Sequence, residues 1–150
     1  MTMKFIVDSM LGKLAKRLRM LGHDTYFDTA LDDRELLKIS KSEDRVIVTR
    51  DRGLAKIKGA KVILLSSTEI HEQLVEFSRL TKVHFNESSS FTRCPECNTN
   101  IESVDKEKVK KLIPKMVYDT MDKFSYCPAC KKAYWQGTHY GKLLRELKTV

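Results

Sequence analysis

Cysteine placement constrains this chain most. Cys94-Pro-Glu-Cys97 and Cys127-Pro-Ala-Cys130 are two CPxC pairs separated by 29 residues, and no thiol precedes Cys94. Two residues between thiolates let both sulfurs of a tight turn reach one ion at ~2.3 Å, and two such turns complete a tetrahedron. In an intracellular chain, cysteines in close pairs hold a metal more often than they form disulfides. The segment from Cys94 onward can hardly bury enough apolar area to fold alone, whereas structural zinc contributes an apparent ~10–16 kcal/mol at neutral pH. Cys94, Cys97, Cys127 and Cys130 are therefore the expected ligands of one structural zinc ion. Four thiolates leave no open position, so that ion has no catalytic role.

Between the pairs, Asp105 to Lys123 reads as helical, with Val109, Leu112, Met116, Val117 and Met121 spaced for one face and a break or kink at Pro114. Ala133-Tyr134-Trp135 reads as a strand and Tyr140 to Lys148 as a closing basic helix.

Upstream, short β-branched runs alternate with helical spacing. Lys4-Phe-Ile-Val7 is the first strand, and Met10, Leu11, Leu14, Leu18 and Leu21 then form a helical stripe that Gly22 ends. His23 to Asp28 gives a second short strand, and Asp32 or Asp33 can cap the next helix. Arg45 to Thr49 and Lys61 to Leu65 are two further strands, and Ser67 or Thr68 can cap a helix carrying Ile70, Leu74, Val75 and Phe77. Such βαβ units imply an α/β fold with a mainly parallel sheet flanked by helices, followed by a small zinc-ribbon module. The polar run Asn86 to Ser90 is the natural linker, giving units 1–86 and 87–150.

In such sheets the working residues lie past the carboxyl ends of the strands, where Asp8 and Asp51 both fall. Asp32 or Asp33 can join them. Two carboxylates about 4 Å apart repel by ~4 kcal/mol at an effective dielectric near 20, so a cluster of them calls for a cation. An oxygen-only, flexible site selects Mg or Mn, which can lower the pKa of a bound water and neutralise a phosphodiester under attack.

The formal charge is +8, with 16 basic against 13 acidic side chains over residues 1–90 and 12 against 7 over residues 91–150. That surplus suits a polyanion, with nucleic acid ahead of an anionic membrane face. No apolar run approaches the ~20 residues of a membrane span and no secretory signal is visible, so a soluble, cytoplasmic protein is expected. Lys13, Lys16 and Arg17 share one face of the first helix with Arg19 flanking, and Arg50 and Arg52 bracket Asp51. Lys16 and Arg19 read at least as well as a solvated helix face as they do as phosphate contacts.

The run Phe5-Ile-Val-Asp-Ser-Met-Leu-Gly-Lys-Leu-Ala-Lys-Arg-Leu-Arg-Met-Leu-Gly22, then Val48-Thr-Arg-Asp51, the CPxC pairs, and Tyr134-Trp-Gln-Gly-Thr-His139 together resemble the Mut-seven C-terminal RNase domain across essentially the whole chain. The resemblance implies a PIN-like fold with a zinc ribbon and a metal-dependent ribonuclease activity on RNA. Asp8 and Asp51 match its carboxylates after strands one and three; both Asp32 and Asp33 are available for the second carboxylate, with Asp33 preferred. A fourth acidic position has no clear counterpart, Glu43 and Asp44 being poor candidates. Lys13, Arg17, Arg50, Arg52 and His139 are the expected contacts to the RNA backbone, and Tyr134 and Trp135 read as ribbon core before base-stacking platforms. The alternatives are a non-catalytic RNA-binding zinc-ribbon module and a protein-interaction adaptor with an unknown partner.

Overall fold

The computed structural model describes residues 2–85 and 90–137. The first apolar run is strand β1 (Lys4–Val7), with Phe5, Ile6 and Val7 buried. Helix α1 (Gly12–Met20) buries Leu14, Ala15 and Leu18, and the chain leaves it through Gly22 at φ 94°, a left-handed turn that only glycine adopts without strain. Then follow β2 (Thr25–Tyr26), α2 (Asp33–Glu43), β3 (Arg45–Thr49), α3 (Arg52–Ala55), β4 (Val62–Leu64) and α4 (Ile70–Thr81).

The four strands form one parallel sheet in the order β2-β1-β3-β4, with Val7 opposite Val48. Alternation along each strand divides the core in two. Phe5, Val7 and Val48 pack with Leu14 and Leu18 of α1 and with Leu74 and Phe77 of α4, whereas Ile6 and Ile47 pack with Leu36 of α2. The chain thus winds outward from β1 to β2 and then back across β1 to β3, sending α1 and α2 to opposite faces. Their loops part at the carboxyl ends of β1 and β3, the reversal point at which sheets of this kind carry their working residues.

Asp32 caps α2, its side chain accepting from the Glu35 N–H at 2.8 Å. The cap of α4 is Glu69, which accepts from the Glu72 N–H, and not Ser67 or Thr68 as the sequence suggests. The reason is Glu76, whose buried carboxylate takes the N–H groups of Ser66 and Ser67 and the Ser66 hydroxyl. That draws the loop over the helix before the chain enters it, and the same three bonds hold the Glu76 carboxyl below its usual range against the opposing effect of burial, the largest single influence.

The cysteine module contains a separate antiparallel sheet, β5 (Glu102–Val104), β6 (Phe124–Cys127) and β7 (Lys132–Trp135) in the order β5-β6-β7. Between β5 and β6 the expected helix is three pieces: α5 (Lys106–Val109), a 3-10 turn (Lys110–Leu112) and α6 (Lys115–Thr120), with Pro114 at the break. The tighter turn shifts the helical phase, so Ile113 packs with Val109 and Phe124 while Leu112 and Met116 stand exposed at 50% and 74%. The closing helix expected over residues 140–148 lies outside the described residues, as does His139.

Candidate active site and metal centre

Asp8 emerges from β1 with its N–H donating to Val48 O at 3.0 Å, so the strand pairing itself fixes its height on the rim. Its side chain is buried, and Oδ2 accepts from the hydroxyl of Thr49, the fully buried last residue of β3, at 2.7 Å. The same hydroxyl accepts from the Asp51 N–H at 2.9 Å. One side chain therefore joins the two carboxylate-bearing turns. Asp51 is exposed and caps α3, Oδ1 accepting from the Gly53 N–H at 2.7 Å. A Cβ at Gly53 would lie 3.0 Å from that oxygen, so a larger residue there would push the Asp51 carboxylate aside by a few tenths of an ångström.

Asp33, the first residue of α2, reaches the same rim from the other face of the sheet. Its carboxyl is raised above its ordinary value, first by desolvation and then by the charges of Asp8, Asp51 and Asp32. Asp32 caps α2 through one carboxylate oxygen, as Asp51 caps α3, whereas no hydrogen bond among the described residues engages the Asp33 carboxylate. Glu43 and Asp44 lie at the opposite end of β3; Glu43 accepts from Arg45 at 2.9 Å and Asp44 is the left-handed C-cap of α2.

The four cysteines meet in one group, every ligand sulfur within 4.8 Å of the others. Cys94 and Cys130 stand 3.8 Å apart and Cys97 and Cys127 3.5 Å, close to the ~3.8 Å edge of a tetrahedron with metal–sulfur bonds of ~2.3 Å. Each knuckle closes identically: Asn98 N–H donates to Cys94 O and Lys131 N–H to Cys127 O, both at 2.8 Å, with Asn98 and Lys131 in left-handed conformations.

Their titration divides. Burial pushes the Cys97 thiol up, but hydrogen bonds from Thr99 and its cysteine neighbours override it and bring the value down to about 6. Cys130 is pushed up to about 12, first by its bond to Cys97 and then by burial. Four sulfurs that cannot all ionise together, gathered at tetrahedral spacing, fit a thiophilic cation that would neutralise them. The Tyr134 hydroxyl lies 3.0 Å from Cys94 Sγ, and burial, then that contact, raises the phenol, so it stays protonated and is able to donate to a thiolate at that position. Among the described residues the cysteines are the one group with ligand atoms drawn so close; the aspartates remain open.

The family model described as Mut7-C RNAse domain matches residues 3–147. The chain belongs to that family. Neither the curated proteins nor the solved structures give a match. Membership supplies a ribonuclease-like role and RNA as the substrate class, and no described helix is long and apolar enough to cross a membrane.

The cations of this Mut7-C RNAse domain sort into two kinds. Lys13, Arg50 and Arg52 are exposed, and no described side chain engages their charged ends. Arg17 is half-buried with Nη1 3.8 Å from the Met20 sulfur. Lys16 pairs with Glu96 at 3.3 Å across exposed surface. Arg19 is neither solvated nor set to meet phosphate: only 6% exposed, it donates through Nε to Thr25 O at 2.9 Å and through Nη1 to Pro95 O at 3.0 Å and Glu96 O at 3.2 Å.

Arg19 thus ties the first cysteine knuckle to α1 and β2. Asn98 completes the contact, its Oδ1 accepting from the Thr25 N–H at 3.0 Å and its Nδ2 donating to Asp24 Oδ1 at 2.7 Å. Phe91 N–H donates to Met20 O at 2.8 Å. Thr49, Arg19, Asn98 and the Tyr134 hydroxyl are the site and support residues that sequence reasoning misses. Only the Asn after a CPxC turn carries a readable signal, since left-handed positions favour it.

Proposed function

We propose that this chain is a metal-dependent ribonuclease in which Asp8, Asp33 and Asp51 hold Mg or Mn at the reversal between β1 and β3. Lys13, Arg17, Arg50 and Arg52 grip the RNA backbone, and Cys94, Cys97, Cys127 and Cys130 hold a structural zinc ion. Residues 1–86 form the nuclease unit and 87–150 the ribbon, and reduced cysteines of this kind suit the cytoplasm.

The observation that carries the reading is the Thr49 hydroxyl, which links the buried Asp8 carboxylate to the turn bearing Asp51. With Oδ2 taken by Thr49, Asp8 keeps Oδ1 for a cation, engaged only by the long 3.5 Å contact from Ser9. The Asp33 carboxyl is raised first by desolvation and then by the charges of Asp8, Asp51 and Asp32, and a divalent cation would relieve that second, electrostatic part. An open arrangement of three carboxylates suits Mg, which keeps several of its waters. When bound, such an ion lowers the pKa of water and neutralises charge on the phosphodiester during in-line attack. The free cations Lys13, Arg50 and Arg52 then bind phosphates and hold the strand in register.

The test is Mn-dependent cleavage of single-stranded RNA by wild type and by Asp51→Asn. Asparagine is as good a helix cap as aspartate, so α3 and the fold are retained. Cleavage should vanish in the variant while zinc content and RNA binding persist. Equal cleavage by both proteins would overturn the proposal and point to a contaminating nuclease. Salt-sensitive RNA binding with no cleavage by wild type leaves a non-catalytic RNA binder in its place.

A further inference from the structure

Beside the aspartates, between the amino ends of α1 and α4, lies a cleft of about 350 Å³. Its lining begins at Met10, two residues past Asp8, and Leu11 N–H donates back to Asp8 O, so the turn that carries Asp8 also carries one wall of the cleft. We infer that this cleft receives a base of the RNA strand, and that Gln73 selects bases carrying an exocyclic amino group. The inference rests on the nuclease reading, because it is the cleft's position beside Asp8 that brings a nucleotide to it.

Gln73 carries the argument. It is only 5% exposed, and its amide nitrogen is fixed by donation to Ser67 O at 3.0 Å. With the amide nitrogen so engaged, the carbonyl oxygen, which has no partner among the described residues, is the acceptor that Gln73 brings to the cleft lining. A buried polar side chain with one end satisfied and the other open to a cavity is a recognition element in need of a donor.

The rest of the lining agrees. Thr68 and the Glu69 carboxylate add oxygen acceptors, and Glu69 would repel a phosphate placed inside. A base therefore suits the interior and a phosphate the mouth, where the exposed Lys13 stands. Met10 is 78% exposed beside a catalytic rim, an unusual place for a large apolar side chain with nothing covering it. A flexible thioether there, with Leu11 and Ile70, forms an apolar wall on which a planar ring can rest.

Acceptors on the protein select donors on the ligand. Adenine and cytosine offer an exocyclic amino group at the pairing edge, and uracil offers carbonyl oxygens on both sides of its single imino group. An acceptor can take the uracil imino N–H as well, but the carbonyl oxygens on either side of it would then meet the oxygen acceptors of Thr68 and Glu69 and be repelled, which an amino group avoids.

The experiment measures equilibrium binding of Asp51→Asn protein, which holds but does not cut, to fluorescent oligoadenylate, oligocytidylate and oligouridylate at one salt concentration. Oligoadenylate and oligocytidylate should bind about tenfold more tightly than oligouridylate. Adding Gln73→Met, similar in volume but without the acceptor, should bring the ratio near one. Adding Met10→Ala, at an exposed position where folding is not at risk, should weaken oligoadenylate and oligocytidylate a few-fold. A ratio unchanged in both double variants, or no binding to any of the three, overturns the cleft. Wild-type cleavage in Mn is read separately: cleavage with an unaltered ratio ends this inference and spares the nuclease reading. A ratio erased by Gln73→Met in a protein whose wild type never cleaves supports the cleft and ends the nuclease reading.

Discussion

The hydroxyl of Thr49 donates to Asp8 Oδ2 at 2.7 Å and at the same time accepts from the Asp51 N–H at 2.9 Å. Because β1 and β3 are hydrogen-bonded neighbours, this contact is as rigid as the sheet. Thr49→Val keeps the shape of the side chain and removes the bond, leaving a buried carboxylate short of a partner at a cost of ~1–3 kcal/mol. The expected result is RNA cleavage lowered about 10–100-fold, with a higher Mn concentration needed for half-maximal rate. A Mn titration of cleavage by the two proteins checks it. An unchanged midpoint would show that Thr49 does not position the metal-binding group.

The Arg19 contacts join the stability of the two sheets. Arg19→Met would leave the carbonyls of Thr25, Pro95 and Glu96 without their donor, and a loss of about 2–4 kcal/mol is expected. Removal of the proposed zinc ion with a strong chelator should act through the same joint, increasing amide hydrogen exchange in β2 and the end of α1 as well as in the cysteine knuckles. Exchange confined to the module beyond residue 90 after chelation would refute the coupling.

His23 gives the protein an acid sensitivity. Burial, and then the charge of Arg93, lowers its pKa from 6.5 to about 4, and Nε2 is buried without a hydrogen-bond partner beside the rings of Phe5 and Phe85. The folded state therefore keeps a neutral ring while the unfolded chain takes up a proton. Stability from this residue is complete above the unfolded pKa and falls as pH drops toward about 4, by up to ~3 kcal/mol. Urea unfolding of wild type and His23→Leu across that window tests this: the wild-type free energy should decline more steeply, and parallel curves would exclude His23 as the cause.

Arg50 and Arg52 flank Asp51 on exposed backbone and engage no described side chain. If each meets one phosphate, Arg50→Ala and Arg52→Ala should each flatten the logarithmic salt dependence of RNA binding by ~0.7. Lys16→Ala, which removes the charge already paired with Glu96, should change that slope far less. Fluorescence anisotropy across a salt series distinguishes the two classes.

The strands and the rim aspartates are legible in the sequence for a plain reason. Lys4–Val7 and Arg45–Thr49 are β-branched or aromatic runs that end in polar residues, and a parallel sheet puts those endings together. The cysteine quartet is legible because its ligand spacing is local. Arg19 is not, because its partners are backbone oxygens 76 and 77 positions away and no side chain advertises them. The phase of the insert helix is lost to the 3-10 turn at Lys110–Leu112, which leaves Leu112 outward and Ile113 inward. The cap of α4 escapes because Glu76, a residue inside the helix, claims the amides of the loop before it.

The joint between the first knuckle and α1 also bears on how such chains can diverge. Arg19 grips main-chain oxygens, so the identities at positions 95 and 96 can wander between lineages without loosening it. Asp24 and Asn98 touch through their own side chains, and an exchange at one invites a matching exchange at the other. A ribbon transplanted from a distant cousin should dock here only when it brings an amide at the place of Asn98, whatever it carries between the paired cysteines.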